Sequence, residues 1–305
     1  MSTTTIDWNA LYEGLVCGDV FSISRLITLV ENRIEGTQEL MRRLQPNPAS
    51  KVLGITGPPG AGKSTLTDAL IHGMVADGKR VGVLCVDPSS PFHLGALLGD
   101  RIRMSSWYNH PQVYIRSLAS RGSLGGLHPQ ILDLMELMKC GGFDWIIIET
   151  VGVGQSEIEI AGLADLTMVI LVPESGDEIQ TMKAGLMEIA DLFVVNKSDR
   201  PDAERFINNL KAMLAPVFQH KPQTPIFKTI ASSQEGINEV YDYLKGVQMD
   251  NKNDRSKWLI AEKAFQLIRE KRMQGITVQA LYDIICEKGI QRVYELLDFP
   301  EFREN

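Results

Sequence analysis

Apolar positions change their rhythm twice along the chain. Over residues 1–48 they recur at helical spacing, first as Trp8, Leu11 and Leu15, then as Ile23, Leu26, Ile27 and Val30. The two prolines of "QPNPAS" close that region. From Lys51 the rhythm becomes short unbroken apolar runs: "KVLGIT", "RVGVLCVD", "VYIRSL", "WIIIET", "LTMVILV", "LFVVNKSD" and "PIFKTIA". Amphipathic stretches at 63–76, 128–140 and 203–215 separate several of them. Continuous apolar strands alternating with helices predict a parallel sheet covered on both faces. After about residue 247 the polar "MDNKNDRSK" reads as a linker. A helical stripe follows at Trp258, Ala261, Phe265, Ile268 and Met273, then a second helix near 277–288. That tail is too short for a core of its own, so its stripe is expected to pack on the sheet domain, on the N-terminal helices or on another subunit.

The chemistry is expected just after the strands, because doubly wound sheets bind ligands at the carboxyl ends of their strands. "GITGPPGAGKST" follows the first run and fits G-x-x-x-x-G-K-[ST] from Gly57 to Ser64. In Gly57, Pro58, Pro59, Gly60, Ala61, Gly62, Lys63, Ser64 and Thr65, the glycines let backbone N–H groups turn inward onto phosphate oxygens. Lys63 reaches the outer phosphates, and the Ser64 hydroxyl is a ligand for Mg²⁺. The predicted fold is therefore α/β, a P-loop NTPase with a doubly wound, mainly parallel sheet. Its boundaries are an N-terminal helical extension over 1–48, the nucleotide domain over 49–246 and a C-terminal helical extension over 247–305.

The sixth run ends in Asn196-Lys197-Ser198-Asp199. At that strand end the Asp199 carboxylate accepts from both the ring N–H and the exocyclic amine of guanine, while Asn196 addresses the other edge. Adenine lacks that donor pair and leaves the carboxylate unmatched, at a cost of roughly 1–3 kcal/mol. GTP and GDP are thus the expected nucleotides. In "TIASSQEG" the main chain of Ala231 is expected to back the guanine.

Three acids stand near the ends of strands: Asp87, Asp100 and Glu149. Mg²⁺ on phosphates keeps several waters and takes one or two carboxylates, so these with Ser64 are the candidate metal groups. Asp87 or Glu149 is alternatively the group that positions the attacking water. Capping in "DPSS" is the bland role for Asp87, and a solvated loop the bland role for Asp100. "PSSPFHLGALLGDRIRM" has the composition of a segment that orders with GTP and relaxes with GDP. Within it Arg103 is either a charge-neutralising arginine in cis or a surface ion-pair partner. Gln155, in the Gly152–Glu157 stretch, is a candidate for orienting water.

Composition narrows the setting. A net charge of -7 gives no reason to expect nucleic acid, whose binders usually carry a basic face. Cys17, Cys85, Cys140 and Cys286 are too scattered for a zinc or disulfide framework and suit a reducing cytoplasm. His93 and His128 read as isolated, solvated loop histidines. No signal-peptide pattern opens the chain, and no apolar run approaches the ~20 residues of a membrane span. No membrane is expected.

The strings "GITGPPGAGKST", "VDPSSPFHLGALLGDRIRM", "RGSLGG", "ETVGVGQSE", "GDEIQTMKAGLMEIAD" and "NKSD" together resemble the MeaB/ArgK group of P-loop GTPases, over about residues 50–245. In these relatives Glu-x-x-Gly replaces the Asp-x-x-Gly of many GTPases, as Glu149 to Gly152 does here. The resemblance implies a homodimeric, Mg²⁺-dependent GTPase. Its partner would be an adenosylcobalamin-dependent acyl-CoA mutase, whose cofactor loading it gates and which it protects or reactivates. It also implies that Asp87, Asp100 and Glu149 serve the magnesium site and that Arg103 is a switch residue. Residues 172–183 become a second switch, with Asp177 and Lys183 as its working charges. "PFHLG" departs from the Thr/Gly-rich run of relatives, which leaves the client open among methylmalonyl-, isobutyryl- and 2-hydroxyisobutyryl-CoA mutases. The competing expectations are a metal-insertion GTPase and an NTPase or kinase associated with basic amino acid transport. The absence of Cys/His clusters weighs against the first, and the guanine signature against the second.

Overall fold

The computed structural model describes residues 6–87, 104–119, 127–150, 156–175, 184–215, 224–247, 254–273, 276–290, 292 and 294–295. Two compact units divide the chain, Met1–Ser256 and Lys257–Asn305.

The first unit opens with helices α1 (Trp8–Val16), α2 (Val20–Glu31) and α3 (Thr37–Arg43). Aspartates start the first two: Asp7 accepts from the Ala10 N–H at 3.0 Å, and Asp19 from the Ser22 N–H at 2.8 Å. These acceptors satisfy amide donors that a helix start leaves without intrahelical partners. The stripe read from sequence is the buried face, with Leu15, Ile23, Leu26, Ile27 and Val30 all removed from solvent.

Strands β1 (Lys51–Thr56), β2 (Val81–Asp87), β3 (Val113–Ala119), β4 (Trp145–Thr150), β5 (Leu166–Leu171), β6 (Leu192–Val195) and β7 (Ile226–Lys228) fall on the seven predicted runs. Among the described residues they form one sheet of order β3-β2-β4-β1-β5-β6-β7, parallel at every pairing. The central strands are buried along their length on both faces, as their unbroken apolar character requires. The strand order reverses about β1, which pairs with β4 on one side and β5 on the other. The crevice above that reversal is where a doubly wound sheet takes its ligand.

Helices α4 (Lys63–Ala76), α5 (Ile131–Cys140), α6 (Ser156–Leu163), α7 (Ala184–Ile189), α8 (Ala203–Leu214) and α9 (Ile237–Gly246) also belong to this unit. α4 packs against α9, and α2 packs against α5, so the N-terminal helices are continuous with the sheet domain. Arg80 strengthens that join by donating to the carbonyls of Gly18 and Gly141 at 3.0 and 3.2 Å. Arg116 on β3 donates to Glu31 at 2.8 Å and to Thr28 at 3.2 Å.

His128 corrects one expectation: it is buried, 1% exposed, rather than solvated. Its Nδ1 accepts from the Gln130 N–H at 3.1 Å, one of the donors left open where α5 begins. α5 consequently starts at Ile131, three residues later than its amphipathic pattern suggests.

The second unit carries most of α10 (Asp254–Arg272) and all of α11 (Val278–Lys288). Thr277 caps α11 by accepting from the Ala280 N–H at 3.0 Å, and Gly289 ends it in the left-handed region. Trp258, Phe265, Ile268, Val278 and Tyr282 are exposed on these helices.

Candidate functional site

β1 delivers the chain into the glycine loop, and the backbone there has to bend in ways a side chain resists. Gly57 has φ 142°, and a Cβ on it would lie 2.1 Å from the Ile170 carbonyl of β5. Gly62 has φ 87°, with room for a Cβ taken by the Asn196 amide at 2.4 Å. Glycine at both positions is therefore a steric requirement. α4 begins at the next residue, so its N-terminal amides and positive end face the loop.

Lys63 is buried, and its Nζ donates to the carbonyls of Gly57 at 2.8 Å and Pro58 at 3.0 Å. The cation is thus held over the loop by the loop's own backbone. One residue on, the Ser64 hydroxyl donates to Glu149 Oε1 at 2.7 Å. Thr67, one helical turn further, donates to Glu149 Oε2 at 2.9 Å. Glu149 is 4% exposed, on β4 beside Ile55 of β1, so a buried carboxylate is tied across two strands to the first turns of α4. The ends of β1 and β4 are also stitched by Thr150 donating to Thr56 at 3.0 Å. Hydroxyl and carboxylate oxygens at such spacing suit a hard divalent cation.

The strand-end tetrapeptide after β6 meets the same loop from the other side. Asn196, 2% exposed, donates through Nδ2 to the Ala61 carbonyl at 3.0 Å. Its Oδ1 accepts from the Ala231 N–H at 3.0 Å and from Thr229 Oγ1 at 3.2 Å. Lys197, at φ 55°, donates to the Gly60 carbonyl at 2.9 Å. Asp199 is exposed. The Ala231 N–H thus serves the Asn196 carboxamide. The turn that holds it is closed by Ile230 N–H donating to Glu235 O at 3.0 Å.

The structure thus brings Gly57 to Thr65, Glu149, Asn196, Lys197 and Ala231 around one loop. Asp87 is the last residue of β2, but its side chain lies outside the described residues, as do Asp100, Arg103, Gln155, Asp177 and Lys183. Thr67 and Thr229 were not singled out from sequence. The available signal for Thr67 was its position three residues after Ser64, on the same face of a helix.

An all-parallel sheet with this loop at its order reversal and a guanine-type tetrapeptide at the end of β6 defines a P-loop GTPase. More narrowly, the chain belongs to the family described as methylmalonyl Co-A mutase-associated GTPase MeaB, whose model matches residues 23–280. It is 47% identical over 240 residues to a protein of Pyrococcus abyssi named as a GTPase, covering 77% of this chain and 74% of that one. It is also 38% identical over 265 residues to the fused isobutyryl-CoA mutase of Geobacillus kaustophilus, covering 81% of this chain and 24% of that one. Among solved structures, one titled as a LAO/AO transport system kinase shares the fold. Its TM-score is 0.68 at 22% identity, over 96% of this chain and 97% of that one.

Proposed function

We propose that this GTPase is a Mg²⁺-dependent chaperone of an adenosylcobalamin-dependent acyl-CoA mutase, gating cofactor loading and protecting or reactivating the enzyme. The observation that carries the client is the fused relative: a segment resembling most of this chain is built into a protein named as an isobutyryl-CoA mutase. The family description points to the same class of client.

In this reading Lys63 exchanges its two carbonyl partners for the β- and γ-phosphates, and the α4 amides receive phosphate oxygens. Ser64 and Glu149 hold the magnesium, with Asp87 and Asp100 as further acids. Mg²⁺, when bound, neutralises charge that develops between the β- and γ-phosphates. Asp199 reads the Watson–Crick edge of guanine, and Asn196 holds the loop on which Ala231 approaches the base. Arg103, Gln155, Asp177 and Lys183 are assigned to the nucleotide-sensitive segments that signal to the mutase. The exposed stripe of Trp258, Phe265 and Ile268 suits a homodimer formed through the C-terminal helices. Cytoplasmic placement fits four cysteines in no disulfide, and no described helix is long and apolar enough to cross a membrane.

The test is GTP turnover and cofactor transfer, measured with and without a purified mutase and adenosylcobalamin. Alone, the protein should turn over slowly. With its client the rate should rise, because groups supplied by a partner accelerate GTPases by up to about 10³–10⁵-fold. A mutase panel that alters neither rate nor transfer would sink the chaperone reading while leaving the GTPase intact.

A further inference from the structure

Glu149 uses both carboxylate oxygens on one helix, Oε1 on Ser64 and Oε2 on Thr67. The two hydroxyls are three residues apart, so they stand on the same face of α4 and present a matched pair of donors. Thr67 is fully buried, and Ser64 and Glu149 nearly so, which shields the arrangement from competing water.

The chemistry of a hydroxyl makes the second bond consequential. Ser64 has one proton and two lone pairs. With the proton on Glu149, what remains for sharing is acceptor capacity, the form in which the oxygen serves a cation. That depends on the orientation of the Glu149 carboxylate, and the terminal torsion of a glutamate is broad rather than sharply staggered. The Thr67 bond contributes to fixing it. An aspartate on the same strand position has a reach about 1.5 Å shorter, one C–C bond, and is poorly placed to engage both hydroxyls.

We propose that Thr67 is a positioning residue of the divalent-cation site: its hydroxyl locks the Glu149 carboxylate so that Ser64 keeps its proton on Glu149 and its lone pairs for the cation. The inference rests on the reading above of Ser64 and Glu149 as magnesium groups. It assigns a reason for glutamate at position 149, since the longer side chain is the one that spans both helix donors.

The experiment measures the affinity of a fluorescent GDP analogue in EDTA and across a MgCl₂ titration. The proteins compared are the parent, Thr67→Val, Thr67→Ser, Glu149→Asp and the Thr67→Val/Glu149→Asp double variant, with thermal unfolding recorded for each. In the parent, Mg²⁺ should tighten GDP. Thr67→Val should raise the Mg²⁺ midpoint about 10-fold or more, the usual range for losing a group that orients a metal ligand. Its affinity in EDTA should stay within about twofold of the parent, the size of a small change in packing. Thr67→Ser should restore the midpoint, and Glu149→Asp combined with Thr67→Val should add little to either alone. If Thr67→Val fails to fold, Thr67→Ala takes its place in the titration. A parent-like midpoint in the hydroxyl-free variant overturns the proposal. So does equal weakening with and without Mg²⁺, which marks a merely structural threonine. A parent whose GDP affinity ignores Mg²⁺ overturns the magnesium reading itself, a distinct outcome.

Discussion

The two ends of the proposed nucleotide site are built on opposite plans. At the phosphate end the charged and hydroxyl groups are engaged with the protein itself: Lys63 with two loop carbonyls, Ser64 with Glu149. In the proposed reading the Lys63 bonds are exchanged when a triphosphate arrives, while the Ser64–Glu149 bond persists. At the base end Asn196 is held in three hydrogen bonds that need no exchange, and Asp199 stands exposed beside it. In that reading the Lys63 cation has replaceable partners at one end, and the other end is a fixed frame with Asp199 open to solvent. Keeping a cation satisfied by carbonyls avoids leaving a buried charge unpaired, at the expense of some binding energy. Fixing Asn196 in advance removes an ordering cost from base recognition.

Substitutions should separate the two plans. Lys63→Ala should have the largest effect, cutting turnover by about 10²–10³-fold through loss of charge stabilisation at the phosphates. Its thermal midpoint should fall as well, because the Gly57 and Pro58 carbonyls it frees are buried. GTP hydrolysis at the parent rate would show that Lys63 is not the phosphate lysine. Asn196→Ala should do the reverse and cost stability first. It leaves the Ala61 carbonyl and the Ala231 N–H without partners in a buried setting, at about 1–3 kcal/mol for each group. Differential scanning calorimetry reads the drop, and an unchanged midpoint would refute the frame.

Asp199→Asn should leave the midpoint unchanged, since the residue is exposed, and act on selectivity alone. Competition between GTP and ATP should narrow by the equivalent of about 1–3 kcal/mol, the cost of a lost matched pair. A preference for ATP in the parent would remove the guanine assignment altogether. Smallest is Lys197→Met, which deletes one partly exposed bond to the Gly60 carbonyl. A loss of about 0.5–1.5 kcal/mol in stability is expected. Nucleotide dissociation measured in stopped flow should change in step with it, because the bond joins the base loop to the phosphate loop.

The sheet was legible because strands buried on both faces leave an unambiguous run, as "WIIIET" and "LTMVIL" do. α4 was equally plain, from Lys63 to Ala76, since the glycine loop marks its start. The start of α5 was not. His128 looked like a loop residue, and its capping of the Gln130 N–H depends on a fold around it that a linear pattern does not contain. In the site, the residues written in a motif, Lys63, Ser64, Glu149 and Asn196, are ones that the structure brings together around the glycine loop. Thr67 was hidden because a threonine on a buried helix face looks like ordinary packing, and its partner lies on a strand 82 positions away. Long-range polar pairing leaves no periodic trace. The same is true of the Ala231 N–H, whose alternative acceptor on Asn196 comes from a different strand end.

Trp107 adds an optical property to this machinery. Its indole N–H donates to the Asp68 carboxylate of α4 at 2.6 Å, and its ring meets those of His72 and His110 edge-on at 4.5 and 5.3 Å. Asp68 is one residue beyond Thr67 on the helix that begins with Lys63. An indole bonded to a carboxylate and flanked by imidazoles has an emission that responds to small shifts in either. The protein therefore carries its own fluorophore bonded to the helix proposed to receive phosphate, and nucleotide arrival becomes something to watch in native light, without a label.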